Sequence, residues 1–117
     1  MIKIYGIKNC DTMKKAFRWL EEHQLAYDFH DYKKLGLSAE QAESWIATQG
    51  WESIINKRGT TWRKLDESLR NNMTDELALE AIQSNTSMIK RPILISETGE
   101  LLLGFDAERY QQVLINQ

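Results

Sequence analysis

A single cysteine in 117 residues excludes an internal disulfide, so no oxidative cross-link holds this fold together. Such sparse thiol content suits a reducing compartment. No apolar run is long enough to span a bilayer, and the strand-like N-terminus lacks a signal-peptide pattern, so the expected location is the cytoplasm. Only two histidines occur, His23 and His30, and neither has metal-ligand spacing with the cysteine. His30 is expected on the polar face of its strand, without a role. Phosphate-binding glycine loops, paired-carboxylate sites and serine-triad signatures are absent. With no repeat, low-complexity tract or Gly/Ser linker, residues 1–117 read as a single domain. A net charge of −2 argues against a general nucleic-acid binder.

What remains is an ordinary globular composition with an uneven distribution of charge. Apolar content of 42% is enough for one core without a metal or disulfide staple. Ten of the fifteen Lys and Arg residues fall in three short stretches: Lys8, Lys14, Lys15 and Arg18; Lys57, Arg58, Arg63 and Lys64; Lys90 and Arg91. If these stretches converge, an acidic protein carries one basic site.

Local patterns predict the elements. Ile2 to Tyr5 reads as a strand, and Asp11 to Glu22 as an amphipathic helix with Met13, Ala16, Phe17 and Leu20 on its buried face. Leu25, Tyr27 and Phe29 alternate with polar or small residues as a second strand, which a crossover connection makes parallel to the first. Ser38 with Gln41 forms a capping box for a helix that Gly50 stops. Residues 51–72 read as short helical turns around Trp51, Ile54, Ile55, Trp62 and Leu65, broken at Gly59, Thr60 and Thr61. Thr74 caps a further helix with Asp75 and Glu76 in its first turn. Ile93 to Ile95 and Leu101 to Leu103 form a hairpin across Thr98-Gly99, and Asp106 caps a last helix with Tyr110, Val113 and Leu114 buried. The order β-α-β, several helices, β-β-α predicts an α/β thioredoxin-like sandwich. Its four-stranded mixed sheet would carry a helical insertion over about 38–86 between the two halves.

The chemistry centres on Cys10. Between a first strand and a first helix, backbone N–H groups are unpaired and the helix dipole is positive, which favours a thiolate. A thiol of pKa near 8.5 is only about 3% ionised at pH 7, whereas one near 6.5 is roughly three-quarters ionised. Lys8, Lys14 and Lys15 push the same way. Asn9 and Thr12 are positioned either to cap the helix or to hydrogen-bond the sulfur. Met13 stands where a C-x-x-C motif puts a second thiol, but belongs to the apolar helix face. Pro92, the sole proline, opens a strand, an ordinary place for proline. In a thioredoxin-like arrangement a proline here is cis and faces the reactive thiol, which turns Arg91 towards Cys10. Arg58 lies in the irregular stretch Asn56-Lys57-Arg58-Gly59-Thr60, suited either to a plain surface arginine or to presenting a guanidinium fork to an anion.

The segments Tyr5-Gly6-Ile7-Lys8-Asn9-Cys10-Asp11-Thr12, Phe29-His30-Asp31-Tyr32, Arg58-Gly59-Thr60-Thr61-Trp62-Arg63-Lys64-Leu65-Asp66, Ile89-Lys90-Arg91-Pro92-Ile93 and Leu103-Gly104-Phe105 together resemble the arsenate reductase-like (ArsC) family. The likeness covers nearly the whole chain and is closest to the YffB-like branch, itself similar to the Spx regulators. It implies that Cys10 is the redox nucleophile and that Arg58 and Arg91 bind anions. Pro92, Asn9, Thr12 and Lys8 complete the implied substrate or glutathione site. Gly6 stands where glutathione-linked arsenate reductases carry a histidine, and Leu103-Gly104-Phe105 occupies the region of their third arginine. These departures point away from arsenate reduction. Met13 replaces the second cysteine of the Spx switch.

The expected activity is therefore that of a glutathione-dependent thiol–disulfide oxidoreductase. It would have no bound cofactor, glutathione as co-substrate, and a small oxidised or disulfide molecule as substrate. The alternative is an Spx-like regulator that binds the C-terminal domain of the RNA polymerase α subunit. Direct nucleic-acid and membrane partners are not expected, and the expected state is a monomer.

Overall fold

The computed structural model describes residues 1–116. The chain divides into two compact units, one formed by Met1–Tyr32 with the chain from Arg91 onward, the other by Lys33–Lys90. The insertion expected over about 38–86 falls within the second.

In the first unit, β1 (Ile2–Gly6), α1 (Asp11–Glu22) and β2 (Tyr27–Asp31) make the opening crossover, and β3 (Ile93–Ile95) and β4 (Leu101–Leu103) the closing hairpin. The sheet order is β2-β1-β3-β4. β1 runs parallel to β2 and antiparallel to β3, and β3 antiparallel to β4. This is the mixed four-stranded sheet of a thioredoxin-like fold. Alternation along the strands puts Ile2, Ile4, Leu94 and Leu102 in one buried cluster with Met13, Ala16 and Leu20 of α1 and with Tyr110 and Val113 near the C-terminus. Ile4 pairs with Leu94, and Leu94 with Leu102, so three apolar side chains form one row across the sheet. Burying each such side chain fully contributes about 1.5–3 kcal/mol of transfer free energy.

Leu25 lies outside β2 because its N–H closes the end of α1 on Leu20 O at 2.9 Å, after Gln24 adopts a φ of 55°. The hairpin turns at Gly99, whose φ is 90°. Asp106 caps the last helix, accepting from the N–H groups of Glu108 and Arg109. That helix changes register, running as an α-turn over Ala107–Tyr110 and then as a π-helical turn over Gln111–Ile115.

The second unit is helical. It contains α2 (Tyr32–Leu35, which begins at the last residue of the first unit), α3 (Ala39–Gln49), α4 (Trp51–Ile54), α5 (Thr60–Arg63), α6 (Glu67–Asn71) and α7 (Asp75–Ser84), then a 3-10 turn at Thr86–Met88. The four residues of α2 carry no periodic signal long enough to read from sequence. Ser38 and Thr74 act as the expected caps, accepting from Gln41 N and Leu77 N at 3.2 Å each. Gly50 ends α3 with a φ of 81°. Ile55 bridges Ile89, and the flanking amides bond Asn56 N to Met88 O and Lys90 N to Ile54 O, both at 2.8 Å. Among the described residues no helix is long and apolar enough to cross a membrane.

A candidate active site around Cys10

β1 ends at Gly6, three residues turn, and Cys10 sits in extended conformation (φ −143°, ψ 131°) as the N-cap of α1. Its carbonyl accepts the first helical bond from Lys14 N at 3.0 Å. Caps at this position are usually oxygens, which take the orphan N–H groups of the first turn. A sulfur is larger and a poorer acceptor when protonated, and Cys10 makes no such cap bond with its side chain. The orphan N–H groups are thus left to favour a negative charge on sulfur.

The thiol is half-buried and packs against the core cluster. Burial is the largest influence on its acidity and pushes its pKa up. Four effects together outweigh it: the Met13 N–H, the Arg91 side chain as donor, the Thr12 N–H, and the positive charge of Arg91. The net result is a pKa below the ordinary thiol value.

Arg91 reaches this position because it precedes β3, the strand hydrogen-bonded to β1. The Arg91–Pro92 peptide is cis, and Pro92 is buried while Arg91 is half-buried. Lys8 and Asn9 are exposed, as are Lys14 and Lys15. Of the basic side chains expected around the thiol, Arg91 is the one that acts on its acidity, and the exposed lysines are weakened by solvent screening. Asn9 precedes the N-cap position that Cys10 occupies, and Thr12 contributes its backbone N–H to the sulfur.

Arg58 belongs to the second unit, in a braced loop. Gly59 N bonds Asn56 O at 3.2 Å, and Arg58 N bonds Asn56 Oδ1 at 3.2 Å. The neighbouring Lys57 is fixed by Glu52 at 2.7 Å and lies 4.9 Å from the Trp51 ring and 5.9 Å from the Trp62 ring. These contacts hold the backbone, and the Arg58 side chain itself is exposed.

His30 shares a face of β2 with the exposed Asp28, opposite Tyr27 and Phe29, as its alternation predicts, and it is half-buried there, with its ring 5.0 Å from that of Tyr5 and 6.3 Å from that of Tyr32. The parallel register places His30 directly opposite Tyr5, a pairing that residue types alone do not reveal. Tyr32 is 2% exposed. Burial first, and then Tyr5, push its phenol pKa far upward, and the charge of Arg91 only partly opposes them. The phenol therefore stays protonated at neutral pH and adds no negative charge near Arg91. Both tyrosines fall in segments that carry the ArsC resemblance, but the sequence reading gives neither a role in the site. Among the described residues no three His, Cys, Asp or Glu side chains group as metal ligands.

Comparison with known proteins follows the same outline. A model described as the ArsC family matches residues 5–113. An uncharacterized protein of Haemophilus influenzae is 45% identical over 114 residues, covering 95% of this chain and 96% of that protein. The global transcriptional regulator Spx of Listeria innocua is 29% identical over 116 residues, covering 97% of this chain and 87% of the regulator. Among solved structures, a YffB protein superposes with a TM-score of 0.90 at 47% identity, over 97% of this chain and 99% of its own.

Proposed function

The chain belongs to the ArsC family, with its thiol oxidoreductase-like fold, and we propose that it is a glutathione-dependent thiol–disulfide oxidoreductase with Cys10 as its one nucleophile. The observation that carries this reading is the convergence of Arg91 and two helix N–H groups on a half-buried, acidified thiol.

The Cys10 thiolate attacks one sulfur of a small disulfide. A Cys10–substrate disulfide forms, and the other half leaves as a thiolate that takes a proton from solvent. A glutathione thiolate then displaces the bound half, leaving glutathione on Cys10. A second glutathione attacks that glutathione's sulfur, which releases oxidised glutathione and restores the Cys10 thiolate. Two glutathiones supply the two electrons, because the chain has no second cysteine. Arg91 stabilises the thiolate as nucleophile and as leaving group. Arg91 also binds the carboxylate of glutathione or an anionic substrate group, and Arg58 is the second anion-binding arginine that the family resemblance implies. Lys8, Asn9, Thr12 and Pro92 line the site. A reductase of this kind works in a reducing compartment, the cytoplasm.

Turnover of a small disulfide with glutathione tests the reading. Wild type is expected to turn over and to carry one glutathione after exposure to oxidised glutathione, as read by mass spectrometry. Cys10→Ser should do neither, and turnover that survives this change would end the proposal. Arg58→Ala should raise KM for glutathione roughly tenfold, the low end for losing a hydrogen bond to a charged group. It should leave the pH dependence of Cys10 alkylation unchanged.

A second reading draws on the likeness to the Spx regulator. In it the chain docks on the C-terminal domain of the RNA polymerase α subunit, and glutathione on Cys10 modulates the contact. Capture of that domain by wild type and by Cys10→Ser alike, with no reductase turnover in either, would favour docking over catalysis.

A further inference from the structure

Gly6 is buried at the end of β1, and its φ is not among the positive values of Gly36, Gly50, Gly99 and Gly104. Its conformation therefore does not demand glycine. Space does. A Cβ built at Gly6 would overlap Met13 Sδ, lie 2.7 Å from Met13 Cε and sit 3.5 Å from Arg91 Cβ. Met13 is 0% exposed, so its thioether lies inside the core cluster and has no solvent to swing into. Met13 crowds Gly6 and Arg91 Cβ would touch a side chain there at ordinary contact distance, and both residues also act on Cys10, Met13 through its N–H and Arg91 through its guanidinium.

We propose that Gly6 is a positioning residue for the thiol. Its missing side chain lets the Met13 thioether and the stem of Arg91 close over the end of β1, and this packing holds both donors against the Cys10 sulfur. A methyl at position 6 must displace the thioether, and with it the first turn of α1 that carries the Met13 N–H. Gly6 and Met13 thus form a coupled pair, in which a side chain at one position is tolerated only if the other is shortened.

The inference rests on the reading of Cys10 as an active thiol, but its test needs no reductase turnover. Alkylation of Cys10 by iodoacetamide is followed against pH in wild type, Gly6→Ala, Met13→Val and the double variant, with urea unfolding of each. Valine ends one atom short of the crowding sulfur and keeps part of the core volume. Gly6→Ala should raise the midpoint pH of alkylation and slow the reaction at neutral pH. In the Met13→Val background the same change should leave the midpoint where Met13→Val alone puts it. The unfolding data should show coupling of at least about twofold in the folded-to-unfolded ratio, the low end for residues in contact. If Gly6→Ala folds only when Met13 is shortened, the coupling is confirmed directly. An unmoved midpoint in Gly6→Ala, an equal shift in both Met13 backgrounds, or failure to fold in both would each overturn the proposal.

Discussion

Two helices of this chain begin with the same backbone geometry and use it differently. Cys10 before α1 and Thr74 before α7 are both extended N-caps, at φ −143° and φ −125°. The Thr74 hydroxyl oxygen accepts from Leu77 N, so an orphan donor is satisfied and the helix start is stabilised. Cys10 makes no such neutral cap bond, and the N–H groups of Thr12 and Met13 at its helix start favour the thiolate instead. One terminus uses its unpaired N–H groups for stability and the other for acidity. A helix N-terminus can serve either purpose, and the cap residue decides which.

Cys10→Ser breaks this contrast by turning the first terminus into the second, and its effect on function is the largest expected. Glutathione-dependent turnover should vanish. Stability should move the other way at low pH, rising by about 0.5–1 kcal/mol as serine supplies the absent cap. The gap then depends on pH. Since the folded thiol has the lower pKa, the unfolded chain holds the proton more tightly, and thiolate stabilisation of the fold is lost as pH falls through the folded value. It grows as pH rises towards the ordinary thiol value. The advantage of Cys10→Ser in urea unfolding should therefore shrink across that window, and a gap that is flat with pH would deny the thiolate its role at the helix start.

Arg91→Ala sharpens the contrast by removing the side-chain donor and leaving the helix in place. The alkylation midpoint of Cys10 should rise. Turnover at pH 7 should fall roughly 10- to 100-fold, the range for losing a hydrogen bond to a charged group. If the midpoint stayed put, the helix N–H groups would account for the acidity without Arg91.

The parts of the fold that local chemistry dictates were legible in the sequence. Ser38, Thr74 and Asp106 cap helices because a short side-chain oxygen before an apolar periodic run has that geometry available. α1 follows Asp11–Glu22 as its apolar spacing predicts, and Ile93–Ile95 and Leu101–Leu103 pair around a glycine turn. The setting of Cys10 was legible for the same reason, since it stands between a strand and a helix that are each locally encoded. What depends on strand pairing was not. The stacking of His30 on Tyr5 follows from the β1–β2 register, and the charge of Arg91 on Cys10 follows from where β3 docks, so it was expected from the thioredoxin-like arrangement and not from local pattern. The sequence shows Gly6 and Met13 as two separate departures, a missing histidine and a missing cysteine. In the fold they are one contact, because the Met13 thioether fills the space that any side chain at position 6 would need.

Thr74→Ala is the smallest change and the control on the whole comparison. Removing the oxygen leaves the Leu77 N–H without its cap partner, and the loss should be about 1 kcal/mol, the usual cost of such a truncation. Asp75 and Glu76 stay in the first turn of α7, so the favourable dipole interaction is retained and the helix itself should persist. Urea unfolding should show the lower midpoint with an unchanged slope, and neither the alkylation midpoint of Cys10 nor turnover should move. A shift in Cys10 acidity from this variant would mean that the cap at α7 feeds the thiol site, and the division of labour between the two helix starts would fall.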